Sequence, residues 1–558
     1  MKSLNPGELV PELFTLLKEG IPRRQLLKEL SAGVVVGVLA LPLAIAFAIA
    51  SGVSPEKGII TAIITGFIIS AFGGSRVQIG GPTGAFVVLV ASTLHTFGYA
   101  GLAAATFMAG IILVLLGLLR MGALLKYVPR TMIVGFTTGI AVIIFSTQVQ
   151  DFLGLTIESV PGDFLGKWGV YFSHLDTLNP WALALGTLSI VIVVFIQRSK
   201  TLIPGPLAAL IVSTLAVSLF NLPVETIGSR FGSLAQGFPA PAFPALDPGM
   251  IRQLFRPAVS IALLGALESL LSAMVADGMI GSRHRPNAEL LAQGLANMVS
   301  PLFGGIPATG AIARTATNVN AGGRTPLAGI IHGLTLLVIF LAAMPLVKLV
   351  PIPALSGILL VVCWNMSDFK TFRRQFKVNK YEVLVLLITF FLTILEDLTV
   401  AILSGFVLSL LVFMKRMADS VSLTPLIADK EGEDMLLSPE GGAIPRNVLI
   451  FQVEGPLFFG SVAEFLNIEK HLLTHHRVVI LCLEHVPIMD ATGLNRLGEL
   501  IRELEKKQVR IILSGASHSI KDKILDLDLL IEADYILPDL KASLQLARRL
   551  CSPETKSP

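Results

Sequence analysis

The sequence predicts a polytopic α-helical membrane body built from two related halves, followed by a small water-soluble α/β domain. Three observations carry this. Stretches without Asp, Glu, Lys or Arg run from Ser31 to Pro55 and from Val77 to Leu119, and roughly 18 or more such residues span a bilayer as a helix. A Phe-Gly-Gly end, a Pro-containing break and a Thr-Gly-Ala start occur together once in each half of the apolar region. The last part of the chain turns charged and alternates short apolar runs with helical patterns, the signature of a covered sheet.

Of the 558 residues, 53% are hydrophobic and 15% charged, against roughly 25% charged in a soluble domain. A soluble enzyme, a disordered chain and a nucleic-acid-binding protein are thereby excluded as readings of the whole chain. The net charge of +4 is small, so its sign matters only through where Lys and Arg fall. Cys363, Cys482 and Cys551 lie far apart with no CxxC pair, which points to neither a disulfide framework nor a zinc site. The apolar run after Lys28 is longer than a signal-peptide core and passes through Pro42 without a small-residue cleavage pattern, so a cleaved leader is not expected.

Residues 1–30 form a polar, basic lead-in with Lys18, Arg23, Arg24 and Lys28. Residues 31–418 are the hydrophobic body, the first repeat about 31–222 and the second about 250–418. At about 20 residues per span plus short loops, the body holds roughly 12 to 14 helices. Residues 419–445 read as a linker, 446–550 as the α/β domain and 551–558 as a tail. Basic clusters at Arg23–Lys28, Arg120–Arg130, Arg198–Lys200, Arg283–Arg285, Lys370–Lys380 and Lys415–Arg416 alternate with acidic loops at Asp151–Asp163 and Glu396–Asp397. Short cytoplasmic loops collect Lys and Arg, so the N-terminus and, after an even number of spans, the soluble domain are expected in the cytoplasm of a cell with this protein in its inner (plasma) membrane.

The first break reads Ser70-Ala71-Phe72-Gly73-Gly74, then Gly81-Pro82-Thr83-Gly84-Ala85. The second reads Phe303-Gly304-Gly305-Ile306-Pro307-Ala308-Thr309-Gly310-Ala311. Gly and Pro in corresponding segments of two halves point to a transporter's midplane site. A half-helix starting inside the membrane presents free N–H groups and the positive end of its dipole. The expected anion donors are Gly84, Ala85 and Phe86, after Thr83, and Gly310, Ala311 and Ile312. Arg314 would add a fixed cation about one turn further on, unless it serves as a structural partner. Glu268 stands in an otherwise apolar span with Ser272 at i+4. Burial there favours the neutral carboxyl group and makes Glu268 a candidate proton carrier, the other reading being a static partner of Arg314. Asp277 falls nearer the cytoplasmic end.

Gly33 and Gly37 fit a small-residue packing face. His471, His475 and His476 lack the carboxylate or thiolate that would complete a metal site. The Gly304–Gly310 pattern follows no strand and is no dinucleotide fingerprint. In the tail, Val448–Val453, Val478–Leu483 and Val509–Leu513 read as buried strands, with helices over Ser461–Leu473, Thr492–Lys507, Ser519–Leu525 and Leu540–Leu550. Asp490-Ala491-Thr492-Gly493 marks a capped helix start. No catalytic constellation, metal set or cofactor motif is found, so the chain is read as no enzyme and as needing no cofactor.

These residues resemble the SulP family of anion permeases with a C-terminal STAS domain, over essentially the whole length. Gly80–Phe86 looks like that family's third-helix start, Gly304–Gly323 with Ala313-Arg314-Thr315-Ala316-Thr317-Asn318 like its tenth-helix signature, and Phe47 after Leu41-Pro42 like the aromatic lining its pocket. The resemblance implies seven-plus-seven inverted helices (about 14 spans), a core rocking against a gate, a homodimer and a small anion as substrate. Stretches such as Gly265–Leu271, Trp364–Ser367 and Gly455–Phe459 are most similar to the family's bacterial dicarboxylate permeases. Sodium-coupled bicarbonate members carry Asp and Thr where this chain has Glu268 and Ser272, which favours protons. Many sulfate and chloride members have Gln where Leu43 stands here. Thr492 matches the hydroxyl phosphorylated in related anti-sigma-factor antagonists, a possible regulatory site. The leading expectation is proton-coupled uptake of an anion such as a C4-dicarboxylate or sulfate. The alternatives are a sodium-coupled bicarbonate transporter, an uncoupled anion channel, or a sensor signalling through its tail.

Overall fold

The computed structural model describes residues 6–123, 129–199, 204–232, 237–244, 248–377, 379–396, 398–426, 436–437, 443–461, 468, 472, 474–526 and 531–551. The chain forms two compact units, Met1–Val407 and Leu408–Pro558. In the first, α1 (Glu12–Glu19) precedes α2 (Arg23–Ala50), α3 (Pro55–Phe72), β1 (Gly80–Gly81), α4 (Gly84–Leu118), α5 (Arg130–Leu153), the short α6 (Phe164–Ser173), α7 (Pro180–Ser199), α8 (Gly205–Phe220) and α9 (Ile227–Phe231). Then follow α10 (Pro248–Ile280), α11 (Pro286–Val299), β2 (Thr309–Gly310), α12 (Ile312–Asn320), α13 (Leu327–Val347), α14 (Ile352–Met366), α15 (Phe369–Gln375), α16 (Lys380–Leu395) and α17 (Leu398–Asp419), which runs on into the second unit. Among the described residues, nine helices are long and apolar enough to cross a membrane.

The helix order repeats. α2, α3, α4 as two pieces, α5, α7 and α8 make a first seven; α10, α11, α12, α13, α14, α16 and α17 make a second. Gly98, at φ 67° and ψ −176°, interrupts α4 and separates the counterparts of α12 and α13. Matching positions share chemistry: α2 and α10 each carry an internal proline (Pro42, Pro257), and α3 and α11 each open on one (Pro55, Pro286). The packing follows the same exchange. α13 packs on α2 and α3, as α4 packs on α10 and α11; α14 packs on α7, as α5 packs on α16.

Each repeat also holds the other's break. Glu289 of α11 accepts hydrogen bonds from the N–H groups of Gly74 (3.0 Å) and Ser75 (3.2 Å). Conversely, Thr61 of α3 accepts from Ile306 N–H (2.8 Å), while Lys57 and Tyr99 donate to the Gly304 and Gly305 carbonyls (3.4 and 2.9 Å). Gly33 and Gly37 serve packing: a Cβ at Gly33 would lie 2.6 Å from the Ala328 carbonyl oxygen of α13, and one at Gly37 2.8 Å from Thr335 Cβ.

The second unit contains β3 (Ser422–Pro425), the small pair β4 (Leu436–Leu437) and β5 (Ala443–Ile444), β6 (Val448–Glu454), β7 (Val478–His485), α18 (Ala491–Lys506), β8 (Arg510–Ser514), α19 (His518–Asp526), β9 (Ile536–Leu537) and α20 (Leu540–Cys551). Its sheet order is β3-β6-β7-β8-β9, parallel apart from the antiparallel β3. Period-two burial splits the strands between two faces. Phe451, Leu481 and Leu513 pack with Leu497 and Leu504 of α18; Ile450, Ile480 and Ile512 pack with Leu544 and Ala547 of α20. The three long strands and the helices α18, α19 and α20 match the sequence expectation within two residues. The helix expected over Ser461–Leu473, with His471, lies almost wholly outside the described residues, as do Asp397, Lys200 and most of the 419–445 linker. His475 and His476 stand at a turn and the strand approach, and no metal-holding cluster occurs among the described residues.

Candidate functional site

The two breaks meet. β1 and β2 pair antiparallel, Gly80 opposite Gly310 and Gly81 opposite Thr309, so the half-helix starts of α4 and α12 emerge from one two-residue ladder. Thr83 is the extended cap of α4 (φ −126°, ψ 159°) and Ala311 that of α12 (φ −100°, ψ 114°). The Thr83 hydroxyl donates to Glu268 Oε2 at 2.9 Å, and the Thr309 hydroxyl donates to the Gly265 carbonyl at 2.9 Å. Both breaks are thereby tied to one turn of α10. Ser272, one turn past Glu268, donates to Thr315 Oγ1 (3.3 Å), which accepts in turn from Ile79 N–H (3.1 Å).

Two of the expected donor amides are already engaged within the protein. Phe86 N–H is taken by the Thr83 carbonyl (3.2 Å) and Ala311 N–H by that of Ile79 (2.9 Å). Gly310 is held in the ladder with its α-carbon against the Gln78 side chain. At the two starts, the amides without an acceptor among the described residues include Gly84 and Ala85 of α4 and Ile312, Ala313 and Arg314 of α12. A helix leaves its first N–H groups unpaired, and Ala313 was missed because it reads as an ordinary small helical residue.

Arg314 is 1% exposed. Its guanidinium donates to the Pro82 carbonyl at 2.9 Å and reaches that of Gly80 at 3.5 Å. It braces the first break from the second, and no direct ion pair joins it to Glu268 among the described residues. The two are close enough to interact electrostatically. Asp277 is placed apart from this site, accepting from Ser282 Oγ and His284 N–H and contacting His284 Nδ1 (2.7, 2.9 and 2.7 Å).

Phe47 packs beside the first half-helix: a Cβ on Gly84 would lie 3.3 Å from its ring. The same point lies 3.4 Å from Ile144 Cδ1 of α5 and from Met366 Sδ of α14. Sequence reasoning missed both, since an Ile and a Met in apolar helices carry no signal of their own. Three apolar side chains thus pack around Gly84, and an apolar setting strengthens a hydrogen bond to an anion. Gln78 is also newly visible: buried, with neither amide atom partnered among the described residues.

Residues 26–389 match the sulfate permease family and residues 443–547 the STAS domain. The chain belongs to the sulfate permease family. It is 41% identical over 500 residues to the putative sulfate transporter YvdB of Bacillus subtilis, spanning 89% of this chain and 92% of that one. It is 31% identical over 522 residues to the bicarbonate transporter BicA of a Picosynechococcus strain, spanning 91% of each. Among solved structures, the transmembrane domain of a cyanobacterial BicA superposes with a TM-score of 0.63 at 31% identity, covering 69% of this chain and 98% of that domain. The murine solute carrier 26 member A9 in its inward-facing state superposes at 0.86 over 98% of this chain and 96% of that one. At 18% identity this second likeness speaks for the fold alone. The chain is therefore a multi-pass membrane protein of an anion-transporter family, with inverted seven-helix repeats and a STAS domain.

Proposed function

We propose that this chain is a secondary active transporter taking up a small oxyanion together with a proton. The anion is bound by the amides of Gly84, Ala85, Ile312 and Ala313 beside Phe47, and Arg314 supplies positive potential from behind. The observation that carries this reading is the hydrogen bond from Thr83 to Glu268. It sets Glu268, the carboxylate in the middle of α10, beside the cap of the half-helix that would hold the anion. An anion about 6 Å from an ionised carboxylate, at an effective dielectric of about 20, is repelled by on the order of 3 kcal/mol. Protonating Glu268 removes that repulsion, so proton and anion load together. A C4-dicarboxylate or sulfate suits a site whose donors are neutral amides with one buried cation nearby.

The N-terminus and the STAS domain face the cytoplasm in this reading, following the basic loops, and the working unit is a homodimer in the inner membrane. The STAS domain regulates or assembles the membrane body. Thr492, exposed in the first turn of α18, is where phosphorylation would place charge at a helix start. Sodium-coupled bicarbonate transport is the second reading, favoured by the relatives named for bicarbonate and opposed by Glu268 and Ser272 in place of Asp and Thr.

Uptake into proteoliposomes of labelled succinate, fumarate, sulfate and bicarbonate, with imposed proton or sodium gradients, decides between them. Glu268→Gln should still bind and exchange anion but lose accumulation driven by a pH gradient. Accumulation by that variant with wild-type pH dependence would refute the proton role, and sodium-driven bicarbonate uptake would establish the second reading.

A further inference from the structure

A cavity of about 240 Å³ opens among Arg76, Ile280, Gly281, Ser282, Arg283 and Arg324. We infer that it is a binding site for a phosphate group, separate from the transport site and independent of which anion is transported. Three guanidinium-bearing residues line it and no carboxylate does. They come from three connections: Arg76 between α3 and β1, Arg283 between α10 and α11, Arg324 between α12 and α13.

The cations are only partly spent. Glu12 is shared between Arg76 Nε (2.8 Å) and Arg285 Nη2 (3.1 Å), so one carboxylate answers two cations. Arg324 uses Nη1 on the Val319 and Gly323 carbonyls (2.7 and 2.6 Å), which leaves its other edge. Arg283 is exposed and has no partner among the described residues. Asp277, which accepts from the lining Ser282, is occupied by that residue and His284.

Positive loops alone are expected on a cytoplasmic face, but dispersed in headgroups rather than converging on one concavity. Planar forks match the oxygens of a phosphate group and favour it over a monovalent halide. The volume lies below the roughly 300–1,000 Å³ of drug-sized pockets, so it suits inorganic phosphate or a lipid phosphomonoester. Either would tie together the C-terminal end of α10, which carries Glu268, and the connections holding Arg76 and Arg324, and so restrain the transporting helices.

The test uses full-length protein in two settings. In neutral detergent, inorganic phosphate is titrated against chloride at matched ionic strength, with the thermal midpoint as readout. In phosphatidylcholine nanodiscs, the midpoint is compared with and without phosphatidic acid. Arg283→Glu folds normally on this account, since the side chain is exposed and unpaired. We expect phosphate to stabilise the wild type and the half-saturating concentration to rise at least about tenfold in Arg283→Glu, the loss of a charge-assisted contact. Stabilisation by phosphatidic acid alone, lost in Arg283→Glu, supports the site with a lipid as its source. Stabilisation that persists unchanged in Arg283→Glu, or none in either setting, overturns the inference.

Discussion

The brace between the two breaks makes Gly81 and Arg314 a coupled pair. Gly81 has φ 156°, and a Cβ added there would sit 1.8 Å from Arg314 Nη1 and 3.0 Å from Cζ. Gly81→Ala therefore forces the guanidinium away from the Pro82 and Gly80 carbonyls. Overpacking costs about 1–3 kcal/mol, and loss of one good charge-assisted hydrogen bond costs about 1.5–3 kcal/mol. Arg314→Ala alone loses the same bond and leaves a buried cavity, about 3–5 kcal/mol in all. In the double variant no guanidinium remains to clash, so the alanine at 81 adds only its backbone strain, about 1 kcal/mol. The double variant should then fall short of the sum of the singles by about 2.5–6 kcal/mol, the overpacking and hydrogen-bond costs that the alanine at 81 no longer adds. The assay is equilibrium unfolding in mixed detergent–dodecyl sulfate micelles, read by loss of helical signal for wild type, both singles and the double. Additivity within about 0.5 kcal/mol, the value for independent sites, would refute the brace.

Gly310→Leu should abolish anion binding by driving a side chain through the Gln78 position, whose Nε2 lies 1.6 Å from the added Cβ; retained affinity in calorimetry of folded protein would exclude the paired-break site. Thr83→Val keeps the shape of the cap but removes the donor to Glu268, and should shift the pH midpoint of uptake while leaving expression unchanged; an unshifted midpoint argues against the coupling. Asp490→Ala removes acceptance from Gly493 N–H at 2.8 Å and Phe459 N–H at 3.3 Å, and should lower the stability of the isolated 446–550 domain by about 1 kcal/mol in urea. Burial pushes the Cys482 thiol up to about 11, aided by Glu484, so thiolate is scarce at pH 8. Maleimide should label Cys482 only on unfolding, and rapid native labelling would contradict its place in β7.

The helical body was legible because long charge-free runs admit no other solution in a bilayer, and the repeat because Phe-Gly-Gly and Thr-Gly-Ala occur twice. The STAS strands showed as buried runs of β-branched residues. The ladder between Gly80–Gly81 and Thr309–Gly310 was not legible: strands of two residues, three of the four being glycine, are too short to show a period. The same holds for the spent amide of Ala311, whose acceptor, the Ile79 carbonyl, lies 311 − 79 = 232 positions away. Ile144 and Met366 were hidden for another reason. In a hydrophobic helix, a residue facing the site and one facing lipid have the same composition.

The β1–β2 ladder also bears on how the protein is made. Gly80 must wait for Gly310, 310 − 80 = 230 residues later in the chain. At roughly 5–20 residues per second, synthesis takes on the order of 10–50 s to supply that partner. Throughout this interval the first break has unpaired backbone, and each such group kept from water costs several kcal/mol. The nascent first half must therefore stay sheltered, by the insertion machinery or by water held in its lateral opening, until the second half arrives. A ribosome stalled before residue 310 should leave an intermediate that proteases and membrane quality control recognise, although every one of its hydrophobic helices is already in place.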